Sequence, residues 1–158
     1  LSKVNFRQYW SKILDDLYRV SLAISILELT DKTMSDNDPH PSLFLTLKEV
    51  LKAFNNTLID PKILFWFYEC ALLNNLGFQP SLEDPELSGL VLPNIKNDSS
   101  SIAVLSTLLS GKMSQLQKIK VSKKTSSLIS DYLWSLIDYH FEGLSSIKSF
   151  KVVKKLLS

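Results

Sequence analysis

Two groups of lysines lie in the last third of the chain, at spacings that suit contact with a phosphate backbone. Their members are Lys118, Lys120, Lys123 and Lys124 in the first group, and Lys148, Lys151, Lys154 and Lys155 in the second. A lysine that neutralises a phosphate releases counterions, so these groups predict DNA binding that weakens steeply with salt and does not depend on base sequence. A solvated lysine surface is the alternative interpretation, and the sequence leaves it open.

The charge of the chain is distributed unevenly, although its net value is only +2. Residues 1–110 hold nine basic residues against thirteen acidic ones, whereas residues 111–158 hold nine lysines against three acidic residues. The first part therefore carries −4 and the second carries +6. This asymmetry predicts that the C-terminal part faces a polyanion.

Other reactive side chains lack the neighbours that catalysis or metal binding needs. Asp15 and Asp16 are adjacent in a helical pattern, so their carboxylates diverge and cannot share a proton. His40 has no second ligand nearby, and His140 lies on an apolar helix face, where histidines usually pack. The only cysteine, Cys70, lies in an apolar helix that disfavours a thiolate. We therefore predict no enzyme activity, no cofactor, no metal and no small-molecule substrate.

The element that organises the chain is a helix that is apolar at nearly every position from Ile63 to Leu76. Such a helix is buried nearly all round. Asp60 can cap its start, Pro61 fits its first turn, and Gly77 supplies a left-handed residue at its end. A membrane span needs roughly 20 apolar residues, which this run lacks. We therefore predict a central buried helix over about Pro61–Leu76.

Amphipathic patterns on both sides of this stretch predict further helices. Residues 5–30 form one helix, or two with a break near Ser21. Its apolar face is predicted to hold Phe6, Tyr9, Trp10, Ile13, Leu14 and Leu17 and to continue at Ile24, Leu27 and the neighbouring Ile26. Residues 42–56 form another, with Phe44 in its apolar stripe. Ser101 caps a short helix over 102–109, a helix spans 125–142, and the last helix has one apolar and one lysine-rich face.

These patterns together predict an all-α fold in one multi-helix domain. Glycine and proline are few, with four and six residues, and no strand-type alternation persists. An irregular loop is expected at about 82–101, because prolines, a glycine and an Asn-Asp-Ser run interrupt every pattern there. A single cysteine fits a reducing compartment, and no secretory signal is expected, because the first residues lack the basic, apolar and small-residue pattern of one.

The central stretch carries a family resemblance in the order of eight residues. They are Glu69, Leu72, Leu73, Leu76, Gly77, Phe78, Pro80 and Leu82. This order resembles the C-terminal helical domain of RecO, the bacterial recombination mediator, in which a Phe-Glu pair precedes Leu-Leu, Gly-Tyr-x-Pro-x-Leu and Cys-x-x-Cys-Gly. Tyr68 and Phe78 stand for the family's Phe and Tyr. Pro85 and Ser88 replace the cysteines, so the resemblance is to a variant without zinc.

A second stretch near the C-terminus resembles the same family. Residues Tyr139–Gly143 are similar to the His-rich turn with Gly that ends the family's penultimate helix. Ile147, Lys148 and Ser149 are similar to the Leu-Lys-Ser that opens its last helix. The two matches and the helix order between them cover nearly the whole chain. Residues 1–158 are therefore expected to be the C-terminal helical domain, with an OB-fold upstream.

The resemblance implies a DNA-binding recombination mediator that acts in DNA repair in the bacterial cytoplasm, associated with the nucleoid. Such proteins bind single- and double-stranded DNA, promote strand annealing and help to load recombinase onto single-stranded DNA. The implied partners are RecR and the acidic tail of the single-stranded DNA-binding protein, with no role at a membrane. The competing hypothesis is a helical protein–protein interaction domain with no nucleic-acid role.

The resemblance also implies that the acidic, Phe-ended tail enters an apolar groove edged by basic side chains. Phe150 and Val153 adjoin Lys151 and Lys154 near the C-terminus, and these four are the candidate partner contacts. The alternative is that the apolar members only dock the last helix on the core.

Overall fold

A computed structural model describes residues 13, 15–34, 38–56, 58–82, 89–142, 144 and 148–157, and only the backbone of Lys148 and Phe150. The regular secondary structure in these residues is entirely helical, which confirms the all-α prediction. The helices are α1 (Leu17–Thr33), α2 (Pro41–Phe54), α3 (Pro61–Asn75), α4 (Ser99–Leu109), α5 (Lys123–His140) and α6 (Lys148–Leu157). A 3₁₀ segment, Met113–Lys118, lies between α4 and α5.

Helix α3 lies at the centre, as the sequence predicts. The Asp60 carboxylate accepts a hydrogen bond from the Lys62 backbone N–H at 3.0 Å, and Pro61 occupies the first turn. Gly77 follows the helix with a φ of 83°, which only glycine adopts readily. Helices α1, α2, α4 and α5 all pack against α3.

The side chains of α3 are buried on every face. All residues from Ile63 to Cys70 are buried, and so are Leu72 and Leu73. This confirms the burial predicted for Trp66, Phe67, Leu72 and Leu73. Two polar groups of α3 have hydrogen-bond partners on other helices: Trp66 Nε1 donates to Ser130 Oγ at 3.1 Å, and Tyr68 Oη lies 2.5 Å from Thr30 Oγ1. Buried polar atoms are thereby satisfied within the core.

The first helix differs from its prediction at both its start and its face. Asp16 caps α1, because its carboxylate accepts hydrogen bonds from the backbone of Tyr18 at 2.9 Å and Arg19 at 3.4 Å. The chain therefore breaks at Asp15–Asp16, and the break predicted near Ser21 is wrong. Ser21 continues the helix, with its hydroxyl donating to the Leu17 carbonyl at 2.8 Å. The residues of the predicted helix before 13 lie outside the described part.

The apolar face predicted for α1 is wrong at three positions and correct at Ile26. Leu17, Ile24 and Leu27 are 81%, 46% and 48% exposed, while Arg19 is buried. The 3,4 pattern is ambiguous here, because Leu22 and Leu29 form a second stripe with Ile26, and these three are the fully buried residues. Phe44, predicted in the stripe of α2, is likewise 52% exposed, while Leu43 occupies the core position beside it.

Arg19 joins α1 to the turn between α2 and α3. Its guanidinium donates to the carbonyls of Phe54 at 2.8 Å, Asn56 at 3.2 Å and Ile59 at 3.3 Å. The Phe54 carbonyl belongs to the last turn of α2, where orphan carbonyls and the helix dipole favour a cation. Arg19 also lies 3.4 Å from the Asp16 carboxylate. One buried side chain thus satisfies three backbone acceptors.

The segment before α4 is irregular where it is described, from 89 to 98. Ile95 anchors it in the core, whereas Val91 is 92% exposed. Helix α4 begins earlier than predicted, at Ser99, because Asp98 and not Ser101 supplies its N-cap. Helix α5 similarly spans Lys123–His140 rather than 125–142, since Ser122 caps its start. Residues 83–88 lie outside the described part.

Helix α6 closes the domain by packing on α1 and α5. Its residues Val153 and Leu157 are buried in this contact. The Ser149 hydroxyl donates a hydrogen bond to the Glu28 carboxylate of α1. The buried residues of all six helices form one continuous core.

Candidate nucleic-acid interface

The N-termini of α4 and α5 meet at the Asp98 carboxylate. Asp98 accepts hydrogen bonds from Ser101 N at 2.9 Å, Ser101 Oγ at 2.6 Å and Thr125 Oγ1 at 3.2 Å. These hydrogen bonds, above all the one from the Ser101 side chain, lower the pKa of Asp98. The carboxylate is therefore ionised at neutral pH and holds the positive ends of two helices side by side.

Four of the predicted phosphate-binding lysines surround this junction. Lys123 and Lys124 form the first turn of α5, Lys118 ends the 3₁₀ segment, and Lys120 lies between the two elements; all four are exposed. Lys124 Nζ lies 3.7 Å from Asp98 Oδ1. In the part of the chain that the structure describes, no ion pair engages the other three. The Asp98 carboxylate already offsets the helix dipoles at the junction, so the positive charge of this end comes from these three exposed lysines.

A groove opens beside Lys118 and Lys120, which we call the lysine groove. Its volume is about 430 Å³. Its lining residues are Ala103, Val104, Thr107, Gln115, Lys118, Ile119 and Lys120. Aliphatic side chains and two lysines thus share one groove between α4 and the 3₁₀ segment.

The second group of lysines lies on α6. Lys151, Lys154 and Lys155 are exposed on this helix, and the side chain of Lys148 lies outside the described part. Lys151, Lys154 and Lys155 therefore present positive charge to solvent while the opposite face of α6 packs on α1 and α5.

The candidate partner contacts on α6 fall in different environments. Val153 is 3% exposed and belongs to the core, whereas Lys151 and Lys154 are exposed. The side chain of Phe150 lies outside the described part. Val153 and Lys154 border a cavity of about 50 Å³, together with Phe65, Glu69, Ser127, Ser130, Asp131, Trp134 and Leu157. A cavity that holds benzene measures about 150 Å³, so this one is too small for a phenyl ring.

Glu69 is the buried carboxyl beside that cavity. It is 2% exposed, and burial raises its pKa well above the ordinary value. The neighbouring Cys70 thiol has its pKa raised in the same way, first by burial and then by the charge of Glu69. A thiol in this state is a poor nucleophile, which agrees with the reading of Cys70 as a packed residue.

The two family-like stretches contact each other in the fold. The Phe78 ring stacks on His140 with 4.0 Å between ring centroids, and its edge approaches Phe141 at 5.9 Å. Burial lowers the pKa of His140, so the stacked ring is neutral at pH 7. His140 is thus a packed aromatic. No sequence signal reveals this contact, because 62 positions separate the two residues.

Candidate metal ligands do not cluster in the described part of the chain. No three His, Cys, Asp or Glu side chains within them converge on a point where a metal ion could bind. Pro85 and Ser88 lie outside the described part, so the prediction that zinc is absent there stays a prediction. Each described helix is too short or too polar to span a bilayer.

Comparison with known proteins identifies the family. A sequence model described as "Recombination protein O C terminal" matches residues 14–95, which is more than half of the chain. The chain belongs to this family. The match includes α3 and the stretch Glu69–Leu82, on which the RecO resemblance was first drawn. No solved structure matches the chain at a significant level.

Curated relatives carry the name DNA repair protein RecO. The one from Thermoanaerobacter sp. (strain X514) is 26% identical over 162 residues, which cover 86% of this chain and 65% of the relative. The one from Desulforamulus reducens is 24% identical over 166 residues, which cover 90% and 64%. The one from Exiguobacterium sibiricum is 33% identical over 82 residues, which cover 52% and 32%. The chain therefore spans less than two thirds of the length of these RecO proteins.

Proposed function

We propose that this chain is the helical part of a bacterial DNA repair protein and that it binds DNA through the lysines around the α4–α5 junction. Membership in the RecO C-terminal family and the relatives named DNA repair protein RecO support the repair role. The observation that carries the DNA contact is the group of exposed lysines beside the α4–α5 junction, Lys118, Lys120 and Lys123, which no ion pair in the described residues engages. Lysine ammonium groups favour phosphate oxygens.

The proposed contact is to the DNA backbone and not to base edges. The lysine groove lies beside a 3₁₀ segment of six residues, and the contacts proposed here come from lysine ammonium groups, which bind phosphates as point charges. Backbone contacts suit both single-stranded and double-stranded DNA, and neutralised phosphates reduce the repulsion between two strands that anneal. Lys151, Lys154 and Lys155 on α6, with Lys148, provide a second proposed contact. Strand annealing and recombinase loading in the cytoplasm follow as the proposed activities.

The DNA contact is tested by the salt dependence of binding. Fluorescence anisotropy with a labelled single strand compares the chain with its Lys123→Gln/Lys124→Gln variant across a range of salt concentrations. Each lost phosphate contact should reduce the slope of log K against log salt by about 0.7 for a single strand and about 0.9 for a duplex. The matched control is Lys48→Gln/Lys52→Gln on α2, where both lysines are also exposed.

The result expected with the single strand is a reduction in slope of between about 0.7 and 1.4 for the α5 variant and no change for the control. An unchanged affinity and slope in the α5 variant would show that Lys123 and Lys124 are only a solvated surface. Equal losses in both variants would instead indicate attraction to the overall charge of the protein.

We further propose that the acidic tail of the single-stranded DNA-binding protein is a partner and that the lysine groove is its better site. A carboxylate favours lysine neighbours, while a terminal aromatic ring needs an apolar surface. The lysine groove offers both within about 430 Å³. The α6 site that the sequence suggested offers about 50 Å³, and Val153 is already used in the core.

The tail proposal is tested with a labelled acidic peptide, with and without its final Phe. Ile119→Ser and Val153→Ala separate the lysine groove from the α6 site. We expect tighter binding of the Phe-ended peptide and a loss of that preference in Ile119→Ser only. Equal binding of both peptides would leave only charge attraction, and the groove would have no specific role.

RecR is proposed as the other protein partner on the strength of family membership. A pull-down of purified RecR by the immobilised chain, with a chain-free matrix as control, tests whether the helical part is sufficient for the contact.

A further inference from the structure

A second groove lies between α1 and α2. We call it the α1–α2 groove. It encloses about 480 Å³ and is lined by Leu27, Thr30, Asp31, Met34, Asp38, Pro39, Phe44 and Leu47. Leu27 and Phe44 are 48% and 52% exposed although both are large and apolar. Isolated exposed apolar residues are common, whereas contiguous exposed apolar surface rimmed by polar residues is typical of interaction sites.

The floor of the α1–α2 groove is held by the core. Thr30 is buried. Its hydroxyl donates to the Ile26 carbonyl at 2.7 Å and lies 2.5 Å from the Tyr68 hydroxyl of α3. Leu47 is buried beside it. Burial also raises the pKa of Tyr68 to about 12. The groove is therefore formed before any partner arrives, which lowers the cost of binding.

The rim of the α1–α2 groove is acidic. Asp31 is exposed on α1, and Asp38 lies beyond the end of that helix with 70% of its side chain exposed. Asp38 Oδ2 lies 3.2 Å from His40 Nε2. An apolar floor with carboxylates at its edge fits a partner that carries bulky apolar residues beside cations.

The outer face of α6 has this complementary chemistry. Val153 and Leu157 are buried, but Val152 and Leu156 are 52% and 40% exposed and lie one turn apart on the outward side. Lys151 is exposed next to Val152. In its own molecule α6 packs on α1 and α5 through the buried face, so the outward residues Val152 and Leu156 point away from α1.

We propose that the outer face of α6 of one copy docks in the α1–α2 groove of a second copy, so that the chain associates head to tail. Charge complementarity selects this occupant, since the α6 face supplies Lys151 to a groove edged by Asp31 and Asp38. A ten-residue helix is about 15 Å long, so the buried area is small and the association is weak. Because the two surfaces differ, each copy can bind two neighbours.

The proposed self-association and the proposed DNA contact use the same lysine of α6. Lys151 takes part in both contacts, so DNA and a second copy compete for it. Added DNA should therefore shift the equilibrium towards single copies.

Sedimentation equilibrium over a range of concentrations tests the association, with two variants designed to block one surface each. The groove variant is Asp31→Lys/Phe44→Ser, and the helix variant is Lys151→Glu/Leu156→Ser. Each alone should remain monomeric at concentrations where the parent chain associates. An equimolar mixture should form dimers only, because one intact α6 face and one intact groove remain. The control variant, Lys112→Glu/Leu58→Ser, changes exposed residues outside both surfaces and should associate as the parent does.

A parent chain that stays monomeric up to about 1 mM would overturn the proposal, and so would association that persists in either blocking variant. Thermal melting establishes that each variant folds. A peptide of residues 148–158 provides an independent measurement, since it should shift the NMR signals of Leu27, Met34 and Phe44 in the folded parent. Shifts elsewhere with none in these three residues would also contradict the proposal.

Discussion

Helix α3 and the lysines around the α4–α5 junction differ most in the burial of their side chains. Every side chain from Ile63 to Cys70 is buried, so the neighbours within the protein determine what each of these positions can hold. Lys118, Lys120, Lys123 and Lys124 are all exposed, so the fold places few constraints on them. Substitutions should therefore separate cleanly: in α3 they should change stability, and around the junction they should change binding.

The largest effect is expected from Leu73→Ala in α3. Leu73 is fully buried, and a truncated leucine leaves a cavity that costs about 2–5 kcal/mol of unfolding free energy. Urea denaturation monitored by circular dichroism measures it. Leu58→Ala, where 75% of the side chain is exposed, is the control and should cost less than about 0.5 kcal/mol. A midpoint for Leu73→Ala equal to that of the control would contradict the central position of α3.

Arg19→Met should have the next largest effect. The change keeps the aliphatic stem and removes the donors to Phe54, Asn56 and Ile59, so three carbonyls lose a charged partner. We expect a loss of about 3 kcal/mol, since hydrogen bonds to charged groups contribute about 1.5–3 kcal/mol each and water can replace some of them. Denaturation of Lys32→Met, which removes an exposed cation from the same helix, provides the baseline.

Glu69→Gln should stabilise the protein in a pH-dependent way. Burial raises the pKa of Glu69 in the folded protein, so the folded state keeps a proton that the unfolded chain releases near the ordinary value of 4.5. Stability therefore falls as the pH rises above that value, and the neutral amide removes this loss. Melting temperatures at pH 4 and pH 7 should show a gain for the variant at pH 7 and little difference at pH 4. A gain of equal size at both values would rule out this titration.

Substitution of the lysines around the α4–α5 junction should have the smallest effect on stability and the largest effect on DNA affinity. Replacing Lys118, Lys120, Lys123 and Lys124 together by glutamine changes only exposed side chains, and the unfolding free energy should change by about 0.5 kcal/mol or less. A loss as large as that of Leu73→Ala would mean that these lysines serve the fold rather than a partner.

The sequence predicted the centre of the fold well and its edges less well. The caps and the continuous apolar run defined α3, because burial on all sides leaves only one interpretation. The face of α1 was not predictable in the same way, since two apolar stripes compete in it and only the packing of α2 and α3 selects Leu22, Ile26 and Leu29. Arg19 is buried although an arginine is expected on the surface, because its guanidinium donates to carbonyls 35 to 40 positions away in the sequence.

The candidate sites show the same division. The lysines could be named from composition and spacing, but their meeting point could not, because it depends on Asp98, which joins two helix N-termini through Ser101 and Thr125. The α1–α2 groove could not be predicted from the sequence either. Its exposed Leu27 and Phe44 looked like core residues in the sequence, and only the structure shows that they face outward.

Lysine footprinting with and without DNA tests most directly whether the α4–α5 junction contacts the backbone. Brief acetylation followed by mass spectrometry reports the reactivity of every lysine in the same sample. Bound DNA should protect Lys118, Lys120 and Lys123 strongly, while Lys48 and Lys52 on α2 react as before. Protection of the α2 lysines, with unchanged reactivity at the junction, would contradict the proposed interface.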